Sequence, residues 1–108
     1  MFELFQSEKT EKFHFRLKAG NGEIIMQSQG YKDKKGCENG IASVTKNGPD
    51  ESKFEKKDTS NGKFYFVLKA GNGQIIGQSQ QYKSESGRDN GIASVGKNCG
   101  GETKDLTA

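Results

Sequence analysis

Apolar and polar residues alternate along two seven-residue stretches, Phe13–Ala19 (FHFRLKA) and Phe64–Ala70 (FYFVLKA). A period of two predicts strands that bury one face, here Phe13, Phe15, Leu17 and Ala19, and in the second stretch Phe64, Phe66, Leu68 and Ala70. Each stretch runs into Gly-Asn-Gly and then a second apolar run, EIIMQSQ or QIIGQSQ. Asn-Gly between two such runs is a strong hairpin signal, because a type I′ turn needs positive φ at both central residues. A two-residue turn at Asn21-Gly22 pairs Ala19 with Ile24, Leu17 with Met26 and Phe15 with Ser28, all on the phenylalanine face. That register sends Ile25, Gln27 and Gln29 to the opposite face, beside His14, Arg16 and Lys18. The second stretch sends Tyr65, Val67, Lys69, Ile76, Gln78 and Gln80 there.

Beyond Tyr31 and Tyr82 the spacing becomes helical. Cys37, Ile41 and Val44 stand at i, i+4 and i+7, and Arg88, Ile92 and Val95 repeat them. Asp33 and Ser84 are candidate N-caps. Asn47-Gly48-Pro49 reads as a glycine C-cap followed by proline. Gly36, Gly40, Gly87 and Gly91 each weaken a helix by about 1 kcal/mol relative to alanine, so both helices depend on tertiary packing. Gly40 and Gly91, next to Ile41 and Ile92, are expected to let each helix sit close to a sheet. Further strands are expected around Phe54 in SKFEKK and in the terminal TKDLTA.

A shift of 51 residues superposes Phe13–Asn47 on Phe64–Asn98 with 24 identities in 35 positions and no gap. Phe2-Glu3 matches Phe54-Glu55 at a shift of 52, so the first loop differs by one residue between the copies. Two copies are too few for a solenoid. They suit a closed pair about a pseudo-two-fold axis, as in a fused homodimer. Residues 1–51 and 52–108 are thus two repeats of one compact domain. The expected class is α+β, an antiparallel sheet with both helices on its phenylalanine face.

The strand ending in RLKAGNGEII, the SQGY that follows, and the helix carrying NGIASVTKNGPD together resemble the YegP-like family of small bacterial proteins in its duplicated form. The helix motif occurs twice, at Asn39–Asn47 and Asn90–Asn98, and the resemblance covers nearly the whole chain. It implies one sheet built from two tandem β-β-β-α-β repeats, with the strands that follow the helices exchanged between repeats. It implies no particular activity, since the family carries none that is established. The copies part at Cys99-Gly100-Gly101, where the first has Gly48-Pro49-Asp50, which bears on the end of the second helix and the last strand.

Composition narrows the function classes. The chain has 108 residues, 30% hydrophobic and 29% charged, with a net charge of +3. That is a foldable composition, only mildly basic; it permits nucleic-acid binding without indicating it. No stretch approaches the roughly 20 apolar residues of a membrane span, and MFELFQSEKTEK lacks the apolar run of a secretory signal. The expectation is a cytoplasmic protein. Cys37 and Cys99 occupy non-equivalent repeat positions and read as free thiols of a reducing compartment. Two cysteines and one histidine make no zinc site.

The doubled Gly-Asn-Gly invites a phosphate-cradle reading, but such a cradle needs a helix N-terminus and here a β run follows. His14 is matched by Tyr65, so the repeat does not demand an imidazole. Tyr31-Lys32 and Tyr82-Lys83 read as rings packed at the layer edge with lysines in water. No nucleophile and base recur together, and no cofactor motif is present. The sequence therefore predicts a monomeric, non-enzymatic binding or interaction module without metal or cofactor. Its candidate ligand residues share the open sheet face: His14, Arg16, Lys18, Gln27, Gln29, Tyr65, Lys69, Gln78 and Gln80. A protein or a single-stranded nucleic acid is the candidate occupant. Ile25 and Ile76 would mark a contact with a partner protein or with another copy of the chain on that face. A small-molecule site at the seam between the repeats is the alternative.

Overall fold

Where the two repeats meet, Gln27 pairs with Gln78, its own counterpart 51 residues on. The pseudo-two-fold axis therefore passes between two antiparallel strands at the centre of one sheet. The computed structural model describes residues 1–107. Its elements are β1 (Phe2–Gln6), β2 (Phe13–Lys18), β3 (Ile24–Ser28), α1 (Lys34–Asn47), β4 (Phe54–Asp58), β5 (Phe64–Lys69), β6 (Ile75–Ser79), α2 (Glu85–Asn98) and β7 (Thr103–Asp105), with a 3-10 turn at Glu51–Lys53 leading into β4. The strands lie in the order β4-β5-β6-β3-β2-β1-β7. Both helices cover one face and enclose a core that includes Phe2, Phe15, Leu17, Met26, Phe66 and Leu68 from the strands and Val44 and Val95 from the helices.

The architecture is the expected α+β, with two corrections. The sheet is mixed rather than wholly antiparallel, because β7 runs parallel to β1. There are also seven strands, because the strand that follows α1 is itself the opening strand of the second unit: Phe54 faces Leu68 as Phe2 faces Leu17. The exchange holds. After α1 the chain supplies β4 to β5, and after α2 it supplies β7 to β1.

The hairpins depart from the sequence reading in a way that matters for the open face. Gly22 and Gly73 have φ of +86° and +85°, while Asn21 and Asn72 keep negative φ, so the turn is not type I′. Instead Gly22 N–H donates to Ala19 C=O at 3.0 Å and Ala19 N–H donates to Glu23 C=O at 2.9 Å. This is a three-residue loop, a type I turn closed by a left-handed glycine. It places Lys18 opposite Ile24, one residue out of the expected register, and a bulge then restores Leu17 opposite Met26. The bulged residue turns inward. Ile25 and Ile76, expected on the open face, are each only 4% exposed and belong to the core, whereas Ile75 is 45% exposed. A Cβ at Gly20 or Gly71 would meet nothing within 4 Å, so neither relieves crowding at the strand end.

The helices begin as expected. Asp33 Oδ1 accepts from Gly36 N–H at 2.7 Å, and Ser84 Oγ accepts from Gly87 N–H at 3.0 Å. Cys37, Ile41 and Val44 are buried against the sheet, as are Arg88, Ile92 and Val95. Gly40 and Gly91 do allow close approach: a Cβ on Gly40 would lie 2.9 Å from Phe15 Cε2, and one on Gly91 2.8 Å from Tyr82 Cζ. Gly48 differs from the expected cap. Its φ is −58°, so it is right-handed. Its smallness serves the contact between the helix ends, where an added Cβ would sit 2.9 Å from Cys99 Sγ. Thr45 Oγ1 donates to Cys99 C=O across the same contact at 2.9 Å. The one-residue difference in the first loop is also visible: Glu11 takes a left-handed φ of +61° where the second unit uses Gly62 at +81°.

Candidate binding face

The open face is organised by one row of paired residues across the sheet: Glu3, Arg16, Gln27, Gln78, Val67 and Glu55. Arg16 Nε donates to Glu3 Oε1 at 2.7 Å, and Lys18 Nζ lies 3.2 Å from the same oxygen. The second unit repeats this around Glu55, which pairs with Lys69 and lies 3.4 Å from Lys57 Nζ. The Arg16 hydrogen bond is the main cause that holds the Glu3 carboxyl below its ordinary range, and the Lys69 hydrogen bond does the same for Glu55. Arg16, Lys18, Lys57 and Lys69 are thus already matched to carboxylates, while Lys104, which lies beside Glu3 on the same face, is exposed and forms no ion pair among the described residues. Val67, in the same row as Gln78 and Glu55, is only 2% exposed.

Between the ion pairs, β3 and β6 form a shallow groove of about 600 Å³ across the pseudo-two-fold axis. Its lining includes Gln27, Gln29, Gln78 and Gln80, with Ile24 and Ile75 at the ends. Lys18 lies opposite Ile24 and Lys69 opposite Ile75, so each end of the groove carries one lysine. The structure therefore brings the four predicted glutamines together and sets Lys18 and Lys69 beside them. His14, Arg16 and Tyr65 stand on the flanking strands β2 and β5. His14 stacks on Phe5 at 5.5 Å, and the Arg16 guanidinium lies 4.7 Å over the same ring. In the second unit Lys57 faces Tyr65 where Phe5 faces His14, so the aromatic platform is one-sided.

Sequence reasoning missed Ile24 and Ile75, because it took the turn for a two-residue one. It also missed Glu3, Glu55 and Phe5. The recurring Phe-Glu of β1 and β4 was a usable signal, since alternation puts the glutamate of each pair opposite the buried phenylalanine.

The remaining candidates have structural roles. The Tyr31 and Tyr82 rings stack on Phe15 and Phe66 at 6.3 and 6.4 Å, and burial raises both hydroxyl pKa values. Lys32 and Lys83 are exposed. Burial pushes the Cys37 thiol up to about 11 and also raises that of Cys99, so both are protonated and weakly nucleophilic near neutral pH. Both cysteines are free. Asn21 and Asn72 spend their side-chain oxygens on Glu23 N–H and Gln74 N–H, at 3.0 and 3.1 Å, within their own turns. On the helix side of the seam, a smaller crevice of about 260 Å³ lies between the first hairpin and α2, lined in part by Glu23, Tyr82, Asn90 and Ser94. Among the described residues no cluster of three metal-ligating side chains occurs, and no helix is long and apolar enough to cross a membrane.

Comparison with known proteins places this architecture. A family described as "Domain of unknown function (DUF1508)" matches twice, at residues 8–55 and 59–105. The UPF0339 protein YegP of Escherichia coli K12 is 54% identical over 107 residues, covering 98% of this chain and 96% of its own. A UPF0339 protein encoded in the ptx operon 5′ region of Stutzerimonas stutzeri is 54% identical over 94 residues, covering 87% and 84%. Two solution NMR structures superpose with TM-scores of 0.91. One is a UPF0339 protein of Shewanella oneidensis, at 50% identity over 97% of this chain and 89% of that one. The other is E. coli YegP, described as a protein of unknown function, at 53% identity over 97% and 90%. Two matches to the family model, 54% identity over nearly the full length and a shared fold together show that this chain belongs to the DUF1508 family, in the two-repeat form of the YegP proteins.

Proposed function

We propose that this chain is a non-enzymatic binding module that acts as a cytoplasmic monomer and engages a protein partner across the open face of its sheet. The amide-lined groove over the pseudo-two-fold axis carries this reading. Primary amides both donate and accept hydrogen bonds but do not ionise near neutral pH, so four of them favour recognition over proton transfer. The pairing of Arg16, Lys18 and Lys69 with Glu3 and Glu55 leaves the cations that flank the groove neutralised and free charge only at Lys104 on the sheet margin, which favours a polar polypeptide over a phosphate chain.

Single-stranded nucleic acid is the second reading, supported by the His14–Phe5 stack with Arg16 above it and by Tyr65 on the other flank. One titration separates the two. Backbone and side-chain amide shifts are followed by NMR while a polar peptide of no net charge or a single-stranded oligonucleotide is added. Peptide-induced shifts at Gln27, Gln29, Gln78 and Gln80 support the protein reading. Oligonucleotide shifts at His14, Arg16 and Tyr65 that fade steeply with salt support the second. Shifts confined to the termini or the helix face would sink both.

A further inference from the structure

The outer sides of β1 and β4 are related by the pseudo-two-fold axis, yet only that of β1 is covered. On the first, β7 lies parallel to β1, and Phe2 N–H donates to Glu102 C=O at 2.8 Å. On the second, the same hydrogen bond recurs at the counterpart positions, where Phe54 N–H donates to Glu51 C=O. There the symmetry ends. After Glu102 the chain continues along β1 as Thr103-Lys104-Asp105; after Glu51 it turns into β4 itself. Among the described residues β4 pairs only with β5, so its outer edge keeps unpaired backbone groups. A groove of about 360 Å³ lies beside it, lined by Glu51, Phe54, Lys56, Asp89 and Ile92. Phe2 is fully buried under the covered edge, whereas Phe54 is only half-buried.

We propose that this vacant edge accepts an extended segment of a partner protein as an eighth strand, parallel to β4, in the manner of β7 on β1. β-Strand addition of this kind draws its affinity from main-chain hydrogen bonds and its specificity from alternate side chains. The specificity here is legible in charge. Asp105 of β7 pairs with Lys34 at the start of α1. The residue 51 positions on is Glu85, so the corresponding partner residue is basic. Lys56 stands where Leu4 faces Asp105, and its charge is matched by Asp89. Asp89 is held by Lys56 at 3.1 Å and Asp58 by Arg88 at 3.3 Å, while Glu51 and Glu85 form no ion pair among the described residues. This edge is separate from the groove over β3 and β6, so either site can fail without the other.

The test uses the full chain, labelled with ¹⁵N, and two capped hexapeptides. One is Glu-Thr-Lys-Lys-Leu-Thr, the β7 sequence with a basic residue in the Asp105 place; the other is the unaltered Glu-Thr-Lys-Asp-Leu-Thr. The basic peptide is expected to shift the Lys56, Lys57, Asp58 and Glu85 amides and to bind roughly threefold tighter than the acidic one, in keeping with one exposed ion pair. The substitution Glu85→Lys should invert that order. Proline at the third peptide position should abolish the shifts, because it removes a ladder donor. The proposal is overturned by equal binding of both peptides, by an order that Glu85→Lys leaves unchanged, or by no shifts at millimolar peptide. Shifts at Phe2–Leu4, from displacement of β7, or at Gln27 and Gln78 overturn it as well.

Discussion

Replacing glycine by alanine inside a helix ordinarily stabilises it by about 1 kcal/mol. In α2 the same substitution at two positions should have opposite signs. At Gly96 the nearest atom to a new Cβ is Gly48 O at 3.6 Å, an ordinary contact, so Gly96→Ala should gain about 1 kcal/mol. At Gly91 the new Cβ would lie 2.8 Å from Tyr82 Cζ and 3.1 Å from Phe66 Cε2, with the Tyr82 hydroxyl closer still. Both rings are stacked on each other and cannot retreat independently. Overpacking of this kind costs about 1–3 kcal/mol, which offsets or exceeds the helical gain. Gly91→Ala should therefore fall below Gly96→Ala by about 1–3 kcal/mol. Urea denaturation at a common m-value reads the gap directly from the midpoints. A cycle with Tyr82→Phe, which removes the offending hydroxyl, should recover at least about 0.5 kcal/mol of coupling. Gly40→Ala, whose Cβ would lie 2.9 Å from Phe15 Cε2, should behave like Gly91→Ala. Equal stabilisation by Gly91→Ala and Gly96→Ala would refute the claim that the helix rests on the sheet through its glycines.

Two other outcomes follow from the unequal edges. Arg88 is 6% exposed, its guanidinium lies 5.4 Å over Phe64, and its Nε is buried without a hydrogen-bond partner among the described residues. If its stem is what covers Phe64, Arg88→Met should stay within about 1 kcal/mol of the parent in urea melts while Arg88→Ala loses about 2–3 kcal/mol; equal losses would assign the role to the charge instead. Asp105 is held down to about 2, chiefly by its hydrogen bond to Lys34 and then by Thr107. Its folded pKa lies below the unfolded value near ~3.9, so the contact supports β7 above that pH and is lost as pH falls toward about 2. The Thr103–Leu106 amides should then shift together through that window, and Asp105→Asn should erase the transition; an unchanged titration in that variant would show that another group controls the strand.

The element types and the core were legible because each was encoded locally and stated twice. Period-two alternation from Phe13 and Phe64, helical spacing of Ile41–Val44 and Ile92–Val95, and the N-caps Asp33 and Ser84 all depend on near neighbours in sequence. The repeat supplied the symmetry, and with it the pairing of Gln27 with Gln78 that centres the candidate groove. The four glutamines were legible for the same reason, since they follow the bulge and keep the expected register.

What escaped the sequence depended on backbone choices with nearly equal local cost. Gly20-Asn21-Gly22 can close as a two- or a three-residue turn, and burial of Ile25 against the helices decides for the bulge that exposes Ile24 and Ile75 instead. The parallel placement of β7, the inward stem of Arg88 and the meeting of Gly48 with Cys99 are likewise tertiary outcomes. They depend on which residue the other repeat presents across the axis: Leu4 against Lys56, Cys37 against Arg88. The sequence by itself determined two copies of a strand-rich unit with a glycine-bearing helix and a polar outer face. Only the tertiary structure decided which isoleucine joins the core and which sheet edge is left open, because both depend on contacts between residues far apart in the chain.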